Sequence, residues 1–234
     1  FTTSTTTTVK LYVNGTLWEA KTGNALSPSS ATLWFGYNFP GVIDECRFYE
    51  TALPEEQIKR LYAIGKVLHE LNDNLVLYHT FDATQGSYSA DSSAEENNGT
   101  LYSSTWTDGV LGGALDLNGD NNYVSVQDSD SLDIQNSLTI CFWIKAASDG
   151  DVLTKSGTPS TLWRYANYRV RVAGGYIDFI HGDGSTSERW VGSTYVNNGN
   201  WHFVAVVIPG GIYINALSLI HISEPTRPRL ISYA

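Results

Sequence analysis

The sequence lacks methionine altogether and has little cysteine. Its 234 residues include no methionine and two cysteines, Cys46 and Cys141. Two cysteines are too few for a disulfide framework, so we expect both to be buried and unbridged. Because the chain starts at Phe1 with neither a charged n-region nor an apolar h-region, we expect a fragment whose true start is missing.

Positive charge and long apolar runs are also scarce. No apolar stretch reaches the roughly 18 residues that a membrane-spanning helix needs, so no membrane insertion is expected. Lysine and arginine number 14 against 24 acidic residues, which gives a formal net charge of -10. Without a basic cluster, nucleic acid is not an expected partner, and cations or neutral polymers are favoured. The alternative is an acidic surface that only keeps a secreted protein soluble.

Apolar and aromatic residues, by contrast, are plentiful. Hydrophobic residues make up 42% of the chain, which contains seven tryptophans and fourteen tyrosines. This is ample for one large β domain with a core of its own.

The stretch from Gly41 to Tyr49 reads as a strand that carries a carboxylate among core residues. Alternation predicts that one face holds Asp44, Cys46 and Phe48. The other face then holds Ile43, Glu45, Arg47 and Tyr49. A buried carboxylate without a partner would bind a cation, accept several hydrogen bonds or be protonated. Asp44 is therefore a candidate functional residue.

A short helix is predicted over residues 54–65, directly after this strand. Pro54 suits the first helical turn, the two glutamates that follow it favour the positive end of the helix dipole, and Gly65 suits the C-terminal cap. The apolar stripe of this helix is Ile58, Leu61 and Tyr62.

The other segments form an ordered set of β motifs. Asn14-Gly15 follows an alternating segment and predicts a hairpin. The chain then shows L-V-L-Y-H-T-F-D from residue 75, D-S-S from 91, N-G-T from 98, G-A-L-D-L-N-G from 113, S-L-T-I-C-F-W-I-K from 137 and W-H-F-V from 201. With G-V-I-D-E-C-R-F-Y from 41 and its acidic helix, this order resembles laminin-G-like domains. The resemblance implies an all-β fold, an antiparallel jelly-roll β-sandwich of the concanavalin A-like type, with one short helix.

A repeated hairpin motif predicts how the chain is divided. Asn215 occupies the same motif position as Asn14, 201 residues later. The repetition indicates parts of two successive repeats of a tandem array. These are the C-terminal part of one repeat (1–66), a linker (67–74) and the N-terminal part of the next (75–216).

The two parts are expected to pack together as one permuted sandwich. Residues 1–66 are too few to bury a core alone. In jelly rolls of this family the first and last strands are neighbours, so we expect residues 42–49 to pair with residues 75–81.

Residues 217–234 change character abruptly and carry prolines, basic groups and histidine. They resemble translated sequencing-adapter read-through, so we leave them out of fold and function. The alternative is a genuine basic tail.

A calcium site is the first chemical prediction. Calcium takes about six to eight oxygen ligands, which loops rich in Asp, Asn and Gly provide. The resemblance implies a structural cation between the first and last strands, held by Asp44 and Asp82 with Asp91, Asp120 and Asn118 nearby. The alternative is that the carboxylates at positions 82 and 91 cap turns through their own backbones. No zinc pattern is present in the sequence.

A carbohydrate-binding face is the second chemical prediction. Flat aromatic rings stack on sugars, while amides and acids bind the hydroxyls. The part of the chain after residue 155 supplies the candidates Trp163, Tyr165, Tyr168, Trp190 and Tyr195, with Asp183, Glu188 and Asn198 as polar partners. The alternative is that these rings are core residues, as we expect for Trp143 and Trp201.

Catalysis is not expected. The β-glucanases of this fold use an E-x-D-x-x-E strand with two carboxylates on one face, about 5 to 5.5 Å apart when the enzyme is retaining. No such spacing occurs, and Asp44 and Glu45 are adjacent. We therefore expect a non-catalytic, secreted or cell-surface module that recognises a glycan or a surface protein. The alternatives are a protein-binding or spacer module of an adhesin and, third, a degenerate glycosidase relative.

Overall fold

Alternation of apolar and polar residues makes most of this chain extended. The structure, a computed structural model, describes residues 6–24, 31–64, 74–83, 85–134, 137–156, 167–182 and 187–209. The elements within these residues are β1 (Thr6–Val13), β2 (Thr16–Asn24), β3 (Leu33–Phe35), β4 (Pro40–Tyr49), α1 (Glu55–Ile64), β5 (Leu75–His79), β6 (Tyr88–Ser89), β7 (Gly99–Tyr102), β8 (Thr105–Asp108), β9 (Gly113–Asn118), β10 (Tyr123–Val126), a 3-10 turn (Asp130–Leu132), β11 (Leu138–Ala146), β12 (Gly150–Lys155), β13 (Tyr168–Ala173), β14 (Tyr176–Gly182), β15 (Ser187–Tyr195) and β16 (Trp201–Ile208).

The strands form two antiparallel sheets that face each other. Sheet A has the order β2-β1-β16-β11-β4-β9-β8, and β5 also pairs with β4. Sheet B has the order β15-β14-β13-β12-β3-β10-β7-β6. Apolar side chains from the inner faces of both sheets pack between them, and their burial at roughly 25 cal/mol per Å² drives the association of the sheets. The all-β antiparallel sandwich predicted from the sequence is confirmed.

Strand β4 lies between three neighbours. Along one edge it pairs with β11, and along the other it pairs first with β9 and then with β5. The ladder to β5 joins Cys46–Tyr49 with Leu75–His79, which confirms the predicted pairing of these two segments. The predicted hairpin at Asn14-Gly15 is confirmed as well, because β1 and β2 pair on either side of it.

The predicted faces of β4 were wrong at one point. The register between β4 and β11 shifts beside Asp44, and Glu45 has a positive φ of 55°. Such a bulge inserts one extra residue and reverses the alternation that follows. Ile43 therefore joins Cys46 in the core between the sheets. Asp44 lies instead opposite Trp143, which packs on the outer face of sheet A.

Helix α1 covers that outer face. Its predicted apolar stripe packs on the sheet, and the ring centroid of Tyr62 lies 5.4 Å from that of Trp143 and 5.8 Å from that of Phe203. The predicted cap, Gly65, lies outside the described residues. The helix gives sheet A a second apolar layer, so its outer face is closed to ligands there.

Both cysteines are free and buried, as predicted. Residues 65–73 and 210–234 lie outside the described part of the chain. The division into two repeats and the artefactual tail stay predictions.

Candidate functional site

Two carboxylates meet where β4 changes its neighbour from β9 to β5. Asp44 lies at the bulge of β4, and Asp82 follows the end of β5. The loop between β8 and β9 contacts both carboxylates, of which Asp44 is buried and Asp82 is exposed. Val110 N donates a hydrogen bond to Asp44 Oδ2 at 3.0 Å, and Gly113 N donates one to Asp82 Oδ1 at 2.9 Å. Asp44, Asp82 and residues 109–113 are named the carboxylate pocket.

Glycines allow this loop to approach the carboxylates. A Cβ atom at Gly109 would lie 2.5 Å from Asp44 Oδ2, and one at Gly112 would overlap Asp82 Oδ1. Gly112 also has a φ of +69°, a conformation that favours glycine. The glycines of the Gly-Val-Leu-Gly-Gly loop therefore leave room for the two carboxylates, which larger residues would displace.

Asp44 is fully buried and only half satisfied. Its exposure is 0%, and Oδ1 has no hydrogen-bond partner among the described residues. The pKa of Asp44 is raised to about 8, chiefly by burial and also by the carboxylates of Glu45 and Asp82, although hydrogen bonds from the loop amides act in the opposite direction. A proton, or a cation beside Oδ1, would each relieve the unfavourable burial of this charge.

Glu45, unlike Asp44, has a cation of its own. Arg47 forms an ion pair with Glu45 Oε2, and Tyr78 Oη donates to the same oxygen at 2.6 Å. The guanidinium carbon of Arg47 lies 3.9 Å from the centroid of the Tyr78 ring. All three side chains are buried. They form a closed structural group, which leaves Asp44 and Asp82 as the carboxylates without a cation in the described part of the pocket.

The other two predicted ligands lie elsewhere. Asp91 accepts four hydrogen bonds of 2.6 to 2.9 Å, two on each oxygen, from β5 and from its own loop. Asp120 is exposed and accepts a bond from Asn121 Nδ2 at 3.0 Å. Within the described ranges, no group of three or more His, Cys, Asp or Glu side chains is placed to hold a metal ion. Of the four predicted acids, the structure brings Asp44 and Asp82 together.

A second feature is a cluster of aromatic rings on the outer face of sheet B. Trp34, Tyr123 and Tyr102 lie on the neighbouring strands β3, β10 and β7. The ring centroid of Tyr123 lies 5.0 Å from that of Trp34 and 4.6 Å from that of Tyr102, on which it stacks. Tyr37 lies 6.4 Å from Trp34 by the same measure. These four residues are named the aromatic face.

Part of the aromatic face is open to solvent. Tyr102 is 45% exposed, and Tyr88 on the next strand is 55% exposed. Trp34 is half-buried between the cross-strand neighbours Ser125 and Thr154. Partly exposed aromatic rings are the kind of surface on which a sugar stacks.

Beyond Trp34 the same face carries paired charges. Arg169 binds Asp151 through two hydrogen bonds of 2.6 and 2.7 Å. Arg171 and Arg189 both hold Asp178, at 2.7 and 2.9 Å, and Asp178 is fully buried. These carboxylates are therefore engaged by guanidinium groups.

The structure differs from the prediction for the expected sugar-binding residues. Tyr168 and Trp190 are 0% and 1% exposed and pack in the core between the sheets, so neither ring offers a face to a sugar. Tyr195 is 51% exposed but lies on β15, at the opposite edge of sheet B from β6. Of the other candidates, Glu188 lies on β15 and Asn198 follows that strand, 2.9 Å from His202 Nε2 through its Oδ1. Trp163, Tyr165 and Asp183 lie outside the described residues.

Alternation contained a signal for the aromatic face. Trp34 stands between Leu33 and Phe35, which point into the core, so its own position points outward. Tyr102 follows the core residue Leu101, and Tyr123 precedes the core residue Val124, so both also point outward. Their strands are far apart in sequence, and the sheet order alone brings them together.

Two antiparallel sheets packed face to face have the architecture of a concanavalin A-like sandwich. A laminin G family model, described as the concanavalin A-like lectin/glucanases superfamily, matches residues 1–59 and 118–218, more than half of the chain. The chain belongs to this family, which by its description includes lectins and glucanases. No curated protein and no solved structure matches the chain. Among the described residues, no helix has the length and apolar character to cross a membrane.

Proposed function

We propose that this chain is a non-catalytic recognition module that binds glycans on the aromatic face. The observation that carries the proposal is the stacked pair Tyr102 and Tyr123 beside Trp34, with Tyr102 and Tyr88 open to solvent. Sugar rings pack their C–H groups on aromatic rings, and their hydroxyls bind polar neighbours. A secreted or cell-surface location is part of this proposal.

Hydroxyl groups lie in a row beside the rings. Thr100 is exposed and lies across from both Tyr88 and Ser125. Ser125 and Thr154 lie across from Trp34 on the two neighbouring strands, but both are buried, so Thr100 is the residue of this row whose hydroxyl a ligand can reach. An exposed hydroxyl beside partly exposed rings suits a ligand that is apolar on one face and polar at its edge.

The charged part of the face supports a role without catalysis. Glycoside hydrolysis needs one carboxyl group that gives up a proton and a second carboxylate that attacks or activates water. Asp151 and Asp178 lie on this face, but arginines occupy their oxygens. Both oxygens of each carboxylate are therefore engaged by guanidinium groups and are not free to meet a substrate.

Glycan-array screening followed by calorimetric titration tests the proposal. Tyr102→Ala should weaken binding of any glycan found on the array by about tenfold, or about 1.4 kcal/mol. Tyr195→Ala is the matched control, because it removes a tyrosine of similar exposure at the far edge of the same sheet. Equal affinities for the two variants would place the site elsewhere. Absence of glycan binding by the wild type would favour the protein-binding or spacer function of an adhesin.

We propose further that the carboxylate pocket holds a structural calcium ion between Asp44 and Asp82. Asp44 Oδ1 is buried without a partner, and Asp82 Oδ2 receives no hydrogen bond from the described residues. The exposed Asp82 carboxylate lies near enough to Asp44 to raise its pKa, and calcium prefers oxygen ligands of this kind, with water completing its shell. The ion would neutralise both charges and tie β4 to the end of β5.

Thermal unfolding in calcium and in chelator tests the ion. A ligand at a hundred times its Kd stabilises a protein by about 2.7 kcal/mol, so the Tm should rise by several degrees in calcium. Asp82→Asn should lose this response, and Asp120→Asn, an exposed acid outside the pocket, should keep it. A wild-type Tm that calcium leaves unchanged would refute the calcium site without touching the glycan proposal.

A further inference from the structure

Strands β16 and β1 lie like the two arms of a hairpin, although they come from opposite ends of the described chain. They pair antiparallel, from Lys10 opposite Val207 to Val13 opposite Val204. The end of β16 therefore lies beside the first half of β1. Beyond Val13, the side chain of Asn14 accepts a hydrogen bond from the first residues of β16, which closes this pairing.

The sequence contains a second segment with the pattern of β1. Ile214 stands 201 positions after Val13, in segments that read I-Y-I-N and L-Y-V-N. A short turn centred on Pro209, the residue after β16, would set Ile214 opposite Val204, the residue that Val13 faces in the structure. Two segments of the sequence thus fit one edge of β16 in one register.

We propose that β1 occupies the place of the strand that continues from β16 in an uninterrupted repeat. The sandwich is then a circular permutation of one laminin G unit, and the natural ends of that unit fall between residues 64 and 74. Both candidate sites agree with this assignment, because each takes residues from both parts of the chain. Trp34 joins Tyr102 in the aromatic face, and Asp44 joins Asp82 in the carboxylate pocket.

The permutation makes one edge of β16 a surface that accepts a β1-type strand. Its other edge is occupied by β11 along the whole strand, so a single strand can be accepted. Strand β1 fills that place well, because Val9, Leu11 and Val13 all pack in the core between the sheets. The partner of this surface is therefore a strand of the same family, supplied here by the preceding repeat.

Disulfide trapping in the full chain tests which segment pairs with β16. The double variant V13C/V204C should form a disulfide within one molecule, because directly opposed residues of an antiparallel pair bring their Cβ atoms close enough. The matched competitor I214C/V204C should stay reduced. Peptide mapping separates these thiols from the buried native Cys46 and Cys141. A disulfide in the competitor, or one that joins two molecules of V13C/V204C, would overturn the proposal.

A reordered chain tests the permutation itself. Residues 74–209 come first, then Gly-Gly, then residues 8–64, so that β16 runs into β1 through a two-residue turn. We expect a single unfolding transition with a Tm within about 4 °C of the parent chain. A reordered chain that does not fold, or that unfolds in two separate transitions, refutes the permutation. Neither experiment depends on a ligand, so failure here is distinct from failure of the glycan or calcium proposals.

Discussion

Replacing Asp44 with asparagine, which has the same shape but cannot ionise, should remove a pH-dependent loss of stability in calcium-free buffer. Asp44 is buried beside the carboxylates of Glu45 and Asp82, and the positive charge of Arg47 is already engaged by Glu45. The amides of the loop oppose the effect without cancelling it. The pKa of Asp44 is therefore raised from 3.8 to about 8 on folding.

The direction of the pH dependence follows from this difference. A group whose pKa is higher in the folded state stabilises the fold when it is protonated. The contribution of Asp44 is fully present below pH 3.8 and is lost as the pH rises to about 8. A difference of this size corresponds to an upper value on the order of 6 kcal/mol. Because water and side-chain movement relax buried charges, we expect about 2 to 4 kcal/mol.

Urea unfolding with a chelator present measures the effect at about pH 5 and about pH 8. Wild type and Asp120→Asn, an exposed control, should both lose stability between the two pH values. Asp44→Asn should lose much less, and it should exceed the wild type in stability at the higher pH. If the difference between wild type and Asp44→Asn is the same at both pH values, Asp44 is ionised in the fold throughout and the reasoning fails.

Three further substitutions test contacts elsewhere in the sandwich by urea unfolding. Lys155→Met should lower the free energy of unfolding by about 2 to 3 kcal/mol. The buried ammonium group of Lys155 holds two carboxylates and a carbonyl at 2.7 to 3.3 Å, whereas the exposed Lys59→Met should leave stability unchanged. Asp91→Ala should lose about 2 to 4 kcal/mol with its four hydrogen bonds, and Asp120→Ala much less. Asn14→Ala should destabilise more than Asn14→Gly, because a φ of 53° favours glycine over alanine. A Lys155→Met variant as stable as wild type, or the reverse order at position 14, would contradict these contacts.

Strand β4 shows how far a sequence pattern can be followed. Its extent, the helix after it and its ladder to β5 could be predicted, because they depend on local pattern and on the order of the motifs. The bulge could not, because a positive φ at Glu45 is imposed by three neighbouring strands rather than by residue type. The sequence therefore identifies Asp44 as a carboxylate in need of a partner, but alternation places it on the core face of β4 instead of the outer face.

Strands β13 and β15 show two different limits. Tyr168 alternates with Arg169 and Arg171, so a strand there would have placed it in the core, but the segment reads as part of a loop-rich region. Along β15 apolar residues occur on both faces, with Trp190 buried and Val191 exposed. A period of two residues cannot choose between the faces in such a strand.

The carboxylate pocket shows the same limit, because packing and not a sequence motif determines which acids lie in it. Asp44, Asp82 and Asp91 all stand in motifs typical of the family, and the sequence predicts the first two as ligands with the third nearby. In the structure, Asp91 has both oxygens occupied by hydrogen-bond donors of its own loop and of β5. Asp44 keeps a buried oxygen without a partner at the point where β4 changes neighbours. Unsatisfied burial, rather than position in a motif, is therefore what separates Asp44, a candidate cation ligand, from the turn-forming Asp91.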